Sequence, residues 1–266
     1  MVDLGLAYVV AIAAVGVLAG TLSGLLGVTP GGILVPCLAL VAGSGQHQAQ
    51  AISLVAQLFP TSLLGFHVYR QAGHTAQRRS ALPVAIGFLP GAYLGAKAAL
   101  LLSDRVLHWV FVAYLVILAI SVMAKASSKE RGSVASSAPS PHISAVAFAL
   151  VGAVAGTSSG LLGIGGGLAI IALLSVVLGL PQHEAQAVSL VVGALPLSLP
   201  AVVVYATSRA GPPLLTCVLV ICGLLVGTAV GARVATRLNA HALRRYFVLL
   251  IFIMAALMAY QALAFQ

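Results

Sequence analysis

"GLLGIGGG", Gly160 to Gly167, puts five glycines into eight residues of an otherwise apolar segment, and the first half of the chain answers with "GLLGVTPGG", Gly24 to Gly32. In a helix interior glycine is about 1 kcal/mol worse than alanine. Glycines that only let helices pack closely recur every fourth residue, and Gly165, Gly166 and Gly167 are consecutive. The run from Gly163 to Gly167 is therefore expected to interrupt a membrane helix and leave several N–H groups without a helical partner. Non-helical backbone at membrane depth survives only where protein or a water-filled cavity satisfies it. The freed donors gather at the positive start of the next helix, and small residues let a solute reach the backbone. This pattern points to an anion site made of two glycine turns.

Composition sets the frame. The chain has 266 residues, 61% hydrophobic and 6% charged, with a mean hydropathy of +1.13. An ordinary soluble domain carries about 25% charged residues, so this is an all-α polytopic membrane protein. The formal charge of +9 does not indicate nucleic acid, because the basic residues fall in short gaps between apolar runs, where they orient the chain in a bilayer. Cys37, Cys217 and Cys222 lie in apolar segments without CxxC or His spacing, which leaves free thiols and no metal site. The N-terminal apolar run is preceded by an acid and no base, unlike a signal peptide, and is kept as a first membrane segment.

Sliding the sequence by 136 residues aligns its halves without a gap: "GTLSGLLG" at Gly20 meets "GTSSGLLG" at Gly156, and "QHQAQAISLV" at Gln46 meets "QHEAQAVSLV" at Gln182. Over positions 20 to 69, 24 of 50 residues are identical, which identifies an internal duplication. The expected organisation is a transmembrane repeat over 1–124, a flexible linker over 125–142 rich in Ser, Pro and charge, and a second repeat over 143–266. Each repeat reads as about five apolar segments, of which the second (Gly32–Val41, Gly167–Leu178) falls short of the roughly 20 residues of a full crossing. It either spans as a stubby helix or re-enters. An odd number of crossings places nine Lys/Arg on one side of the membrane against two on the other, where an even number gives seven against four. The positive-inside rule therefore favours inverted-topology repeats in a cell membrane of the bacterial inner-membrane kind, with the linker cytoplasmic and both termini outside.

The third segment of each half, read as one helix over Gln48–Tyr69 and over Ala185–Ala206, carries a polar face. His47, Gln50, Ser53, Gln57 and Thr61 fall within about 120° of arc, and His183, Gln186 and Ser189 repeat its upper part. Such a face marks either a hydrated pathway or interhelical hydrogen bonding. His47 and His183 are candidate proton carriers or helix caps. The matched bases Lys97 and Arg233 lie near segment ends, within snorkelling reach of lipid headgroups, or they draw anions inward. Gly87, Gly91 and Gly95, with Gly223, Gly227 and Gly231, repeat every fourth residue and read as packing surfaces.

Paired glycine turns, an "AxSL" helix start after each, and a later "GxxxGaxxGa(K/R)" segment together resemble the TauE/SafE family of sulfite and organosulfur anion exporters or permeases, over nearly the whole chain apart from the linker. The resemblance implies a small sulfur-containing anion as substrate and puts Gly24, Gly27, Gly31 and Pro36 in the first turn, with Gly160, Gly163 and Gly165 to Gly167 in the second. Ala51, Ser53, Ala187 and Ser189 fit the serine motif. The first turn reads Val28-Thr29-Pro30-Gly31-Gly32 where the family has more glycine. Pro30 removes a donor there, and the Thr29 hydroxyl is a candidate replacement.

The candidate substrate-binding set is thus Gly27, Thr29, Gly31, Gly32, Gly163, Gly165, Gly166, Gly167, Ser53, Ser189, Gln50, Gln186, His47 and His183, without a cofactor. The function expected is secondary transport of sulfite, thiosulfate or an organosulfonate, with an anion channel as the alternative. A coupling proton would ride on the histidines or on the substrate, since the four acids lie near segment ends or in the linker. An enzyme is disfavoured: "HEAQA" at His183 lacks the second histidine of a zinc helix, and Ser159 is duplicated in Ser23, as expected of scaffold. Which anion, its direction and the oligomeric state are not legible in the sequence.

Overall fold

The structure is a computed structural model that describes residues 2–26, 29–43, 45–59, 78–130, 143–208, 211–235 and 240–264. Among these residues every regular element is helical. The first half contains α1 (Val2–Leu26), α2 (Gly31–Val41), α3 (Gln46–Ala56), α4 (Arg78–Leu101) and α5 (Asp104–Glu130). The second contains α6 (Ala145–Leu162), α7 (Gly167–Ala172) continued by a π-helical turn over Leu173–Val177, α8 (Gln182–Gly193), α9 (Leu199–Ala206), α10 (Leu214–Ala235) and α11 (Ala240–Ala264). The starts of α2 and α7, α3 and α8, α4 and α10, and α5 and α11 are each 136 residues apart. The duplication is therefore carried into the placement of helices.

Among the described residues four helices hold stretches long and apolar enough to cross a membrane: Gly5–Leu25 in α1, Arg79–Leu101 in α4, Ala145–Leu162 in α6 and Leu214–Gly231 in α10. The second segments are half-length. At 1.5 Å per residue the 11 residues of α2 rise about 16 Å, roughly half the hydrocarbon thickness.

The long helices pair across the halves. A Cβ on Gly87, Gly91 or Gly95 of α4 would run into the backbone of Ala149, Ala153 or Thr157 of α6, and one on Gly152, Gly156 or Gly160 would meet Val84, Phe88 or Ala92 in return. Residue numbers climb together along this contact, so α4 and α6 run parallel. The same interlock joins α10 to α1, where Gly223, Gly227 and Gly231 sit against Ala13, Val17 and Thr21, and Gly16 and Gly20 against Val220 and Leu224. Small residues on both partners allow backbone-to-backbone approach, the role expected of the every-fourth glycines. The first helix of each half thus packs on the fourth apolar segment of the other, α6 on α4 and α1 on α10. One buried cluster gathers side chains such as Ile12, Leu34, Ile52, Phe111 and Leu224 around α1 and α10, and a second gathers Leu54, Val84, Phe88, Ile170 and Tyr205 around α4 and α6.

The structure departs from the expected segments at two places. The third segment of the second half is not continuous: α8 ends at Gly193, α9 begins at Leu199 and Ala194–Ser198 form turns around Pro196. Proline lacks the N–H of the helical ladder and biases its predecessor away from helix. In the first half α3 stops at Ala56, and Thr61 and the rest of 60–77 lie outside the described residues. Secondly, α5 continues through Lys125 to Glu130, into the stretch expected to be linker, while 131–142 also lie outside the described residues.

Candidate anion site

The second glycine run does leave the helix. α6 ends at Leu162; Gly163 follows at φ +68°, its N–H donating to the Ser159 carbonyl at 2.8 Å. Gly165 has φ +81°, a region that side chains other than glycine's rarely adopt, and helix resumes at Gly167. In the first half α1 ends at Leu26 and α2 begins at Gly31 after Pro30, whose carbonyl accepts from the N–H groups of Ile33 and Leu34 at 3.0 and 2.9 Å. Gly27 lies outside the described residues.

The two turns touch. The Thr29 hydroxyl donates to the Ile164 carbonyl at 3.1 Å. A Cβ on Gly31 would overlap the Gly163 and Ile164 carbonyls, and one on Gly167 would come within 2.7 Å of the Thr29 methyl. The loop of the first repeat therefore seats against that of the second because Gly31 and Gly167 carry no Cβ where the two meet.

Side chains from α3 and α8 then engage the carbonyls of the second turn. Ser53 Oγ donates to Gly163 O at 2.8 Å, Gln57 Nε2 donates to the same oxygen at 3.0 Å, and Ser189 Oγ donates to Gly167 O at 3.0 Å. The Tyr205 hydroxyl lies 2.8 Å from Gln50 Oε1 and 3.2 Å from Gly160 O. Neither α2 nor α7 receives a side-chain cap from its N-cap residue. Protein donors occupy the acceptors of the turn while the first N–H groups of the following helix have no intrahelical partner.

A cavity of about 40 Å³ lies at this junction, lined by Thr29 and Pro30 of the first turn, Gly165, Gly166 and Gly167 of the second, and Gln57, Phe88, Ser159, Leu197 and Ser198. A buried polar site needs about 10–15 Å³ to hold one water, so this volume suits a few waters or one compact ion. Phe88 closes it so tightly that a Cβ on Gly166 would run into the ring.

Of the sequence-predicted residues, Thr29, Gly165, Gly166 and Gly167 line the cavity, and Gly31, Gly163, Ser53 and Ser189 form its bracing layer. Gly32 is in the first turn of α2, and Gln186 is half-buried on α8. Gln50 is fully buried against Tyr205. The side chain of His183 lies outside the described residues. His47 stands apart, six residues before Ser53 and so about 9 Å along α3. Its Nδ1 pairs with the Asp104 carboxylate and its Nε2 donates to the Ala99 carbonyl at 2.9 Å. Lys97 is exposed, its Nζ 5.1 Å from the centre of the Tyr93 ring, and it borders a separate outward groove with Leu101, Val203 and Thr207.

Sequence reasoning missed Phe88, Ser159, Leu197 and Ser198 as cavity walls. The turn around Pro196, in a segment read as one helix, places Ser198 beside α3, where its Oγ donates to Leu54 O at 3.3 Å.

Long apolar helices around an interrupted, polar centre are the build of a polytopic membrane protein that passes small solutes. The chain belongs to the TauE/SafE sulfite exporter family, whose model, Sulfite exporter TauE/SafE, matches residues 12–258. The family is one of membrane transporters for sulfur-containing anions, which sets the class of this protein and its membrane location. No curated protein and no solved structure matches the chain.

Proposed function

We propose that the protein carries one small sulfur-containing anion (sulfite, thiosulfate or an organosulfonate) across the cell membrane by alternating access of two inverted halves, and that the anion sits where the two glycine turns meet. The observation that carries this proposal is the shared cavity of about 40 Å³ bounded by Thr29 of one turn and Gly165–Gly167 of the other. Its size favours a compact oxyanion; an organic tail would require Phe88 or the Leu195–Ser198 turn to move. Inversion is supported by the charge bias, with the linker cytoplasmic and both termini outside. In inverted-repeat carriers, interrupted helices from the two halves form one site and rocking of the halves exposes it alternately. A coupled proton, where one is used, travels on the anion or on a histidine.

Uptake into proteoliposomes of labelled sulfite, thiosulfate, sulfate and methanesulfonate, with and without a pH gradient, tests this proposal. Saturable uptake with counterflow is expected for at least one sulfur anion; flux without counterflow would indicate the channel alternative. Gly166 has an ordinary helical φ of −72°, so Gly166→Leu adds bulk without backbone strain and is expected to abolish uptake. A folded Gly166→Leu protein that transports normally would remove the glycine turn from the pathway.

A further inference from the structure

We infer that Ser159 is a direct ligand of the transported anion, a role that rests on the cavity proposed above as the anion site. Hydroxyls inside helices ordinarily turn back onto the carbonyl three or four residues earlier, and the neighbours of Ser159 do so: Thr157 Oγ1 donates to Ala153 O at 2.8 Å, and Ser158 Oγ to Ala155 O at 2.9 Å. Ser159 does not. Its side chain is 1% exposed, its Oγ has no hydrogen-bond partner among the described residues, and it lines the cavity beside Gly165–Gly167 and Gln57. A buried hydroxyl left unpaired is costly, so a polar occupant of the cavity is the partner that the site calls for. Ser23, its counterpart in the first half, is also buried but already engaged. The duplication therefore does not make the two serines equivalent: one holds structure and the other is left open to a guest. An oxyanion between the Ser159 hydroxyl and the glycine turn would accept from the hydroxyl while the carbonyl of Gly163 stays occupied by Ser53 and Gln57.

The test uses the purified full-length protein with sulfite, thiosulfate and methanesulfonate as probes. Two readouts are taken: the thermal midpoint with and without each anion, and the half-saturation concentration for uptake. Ser159→Ala is expected to leave the anion-free midpoint unchanged or raised, because it removes an unsatisfied group. It should reduce the anion-induced rise at a given anion concentration and increase half-saturation about tenfold to a hundredfold, the factor expected for one lost hydrogen bond to a charged group. Ser158→Ala should match wild type in half-saturation. An anion-free midpoint lowered in Ser159→Ala would reveal a structural partner and overturn the inference. So would a wild-type half-saturation in Ser159→Ala beside an inactive Gly166→Leu, which would show that the hydroxyl faces only a trapped water while the glycine-turn site stands. Normal uptake by both variants would bring down the site itself.

Discussion

His47 faces two acceptors at once, the Asp104 carboxylate at Nδ1 and the Ala99 carbonyl at Nε2, and the backbone N–H of Gln46 donates to the second Asp104 oxygen at 3.2 Å. A carbonyl can only accept, so Nε2 carries a proton, and the favourable state of Nδ1 is also protonated against a carboxylate. The hydrogen bond with Asp104 holds the His47 pKa above its ordinary value, and the same bond holds Asp104 below the usual carboxylate range. Both groups sit at helix ends outside the long apolar spans, tying the start of α3 to the end of α4 and the start of α5. The raised histidine stabilises fully below about pH 6.5 and loses its contribution as pH rises through its folded-state pKa. The lowered aspartate stabilises fully above about pH 3.9 and loses its contribution as pH falls through its own. The thermal midpoint of the purified protein should therefore fall as pH rises above about 6.5, and Asp104→Asn should flatten that slope; an equal slope in the variant would show that another group titrates. The second half has Ala240 where the first has Asp104, so that carboxylate is not duplicated. Each partner's position near a segment end was legible in the sequence. Their pairing was not, because it depends on α3 folding back against the α4–α5 corner.

At the scale of elements, the every-fourth glycines set which helices touch. Gly91 faces the backbone of Ala153, and a Cβ there has nowhere to go. Gly91→Ala should cost about 1–3 kcal/mol, the range for forcing extra bulk into a packed interface. Leu94→Ala, on the same helix but 60% exposed, should stay within about 0.5 kcal/mol. Thermal unfolding of the two variants side by side checks the contrast. The period of four marked these glycines as packing residues from the sequence alone, since it is a property of one helix. That the partner of α4 is α6 of the other half, running parallel, is a choice among helix faces that one strand of text does not record. The broken third segment belongs to the same class of fact: Pro196 is visible in the sequence, but the turn it terminates is useful only because Ser198 finds Leu54 on α3.

At the scale of the whole molecule, the proposed inversion predicts that a cysteine introduced at Ser137 and one at Gln266, each in a cysteine-free background, lie on opposite faces of the membrane. A membrane-impermeant maleimide should label Gln266→Cys from outside intact cells, and Ser137→Cys only after the inner face is opened. Labelling of both from one side would mean that the copies point the same way. The membrane class, the duplication and the helix-breaking glycine turns were determined by the sequence itself, because they depend on composition, repetition and local backbone preference. The tertiary structure decided which groups meet: that Thr29 closes on Ile164, that Ser53 and Gln57 occupy Gly163, and that Ser159, unlike Ser23, has no partner among the described residues. The physical reason is the exchange of first helices between the halves. Burying the glycine faces of α1 against α10 and of α6 against α4 draws the two interrupted segments together, and that packing is a property of the entire chain.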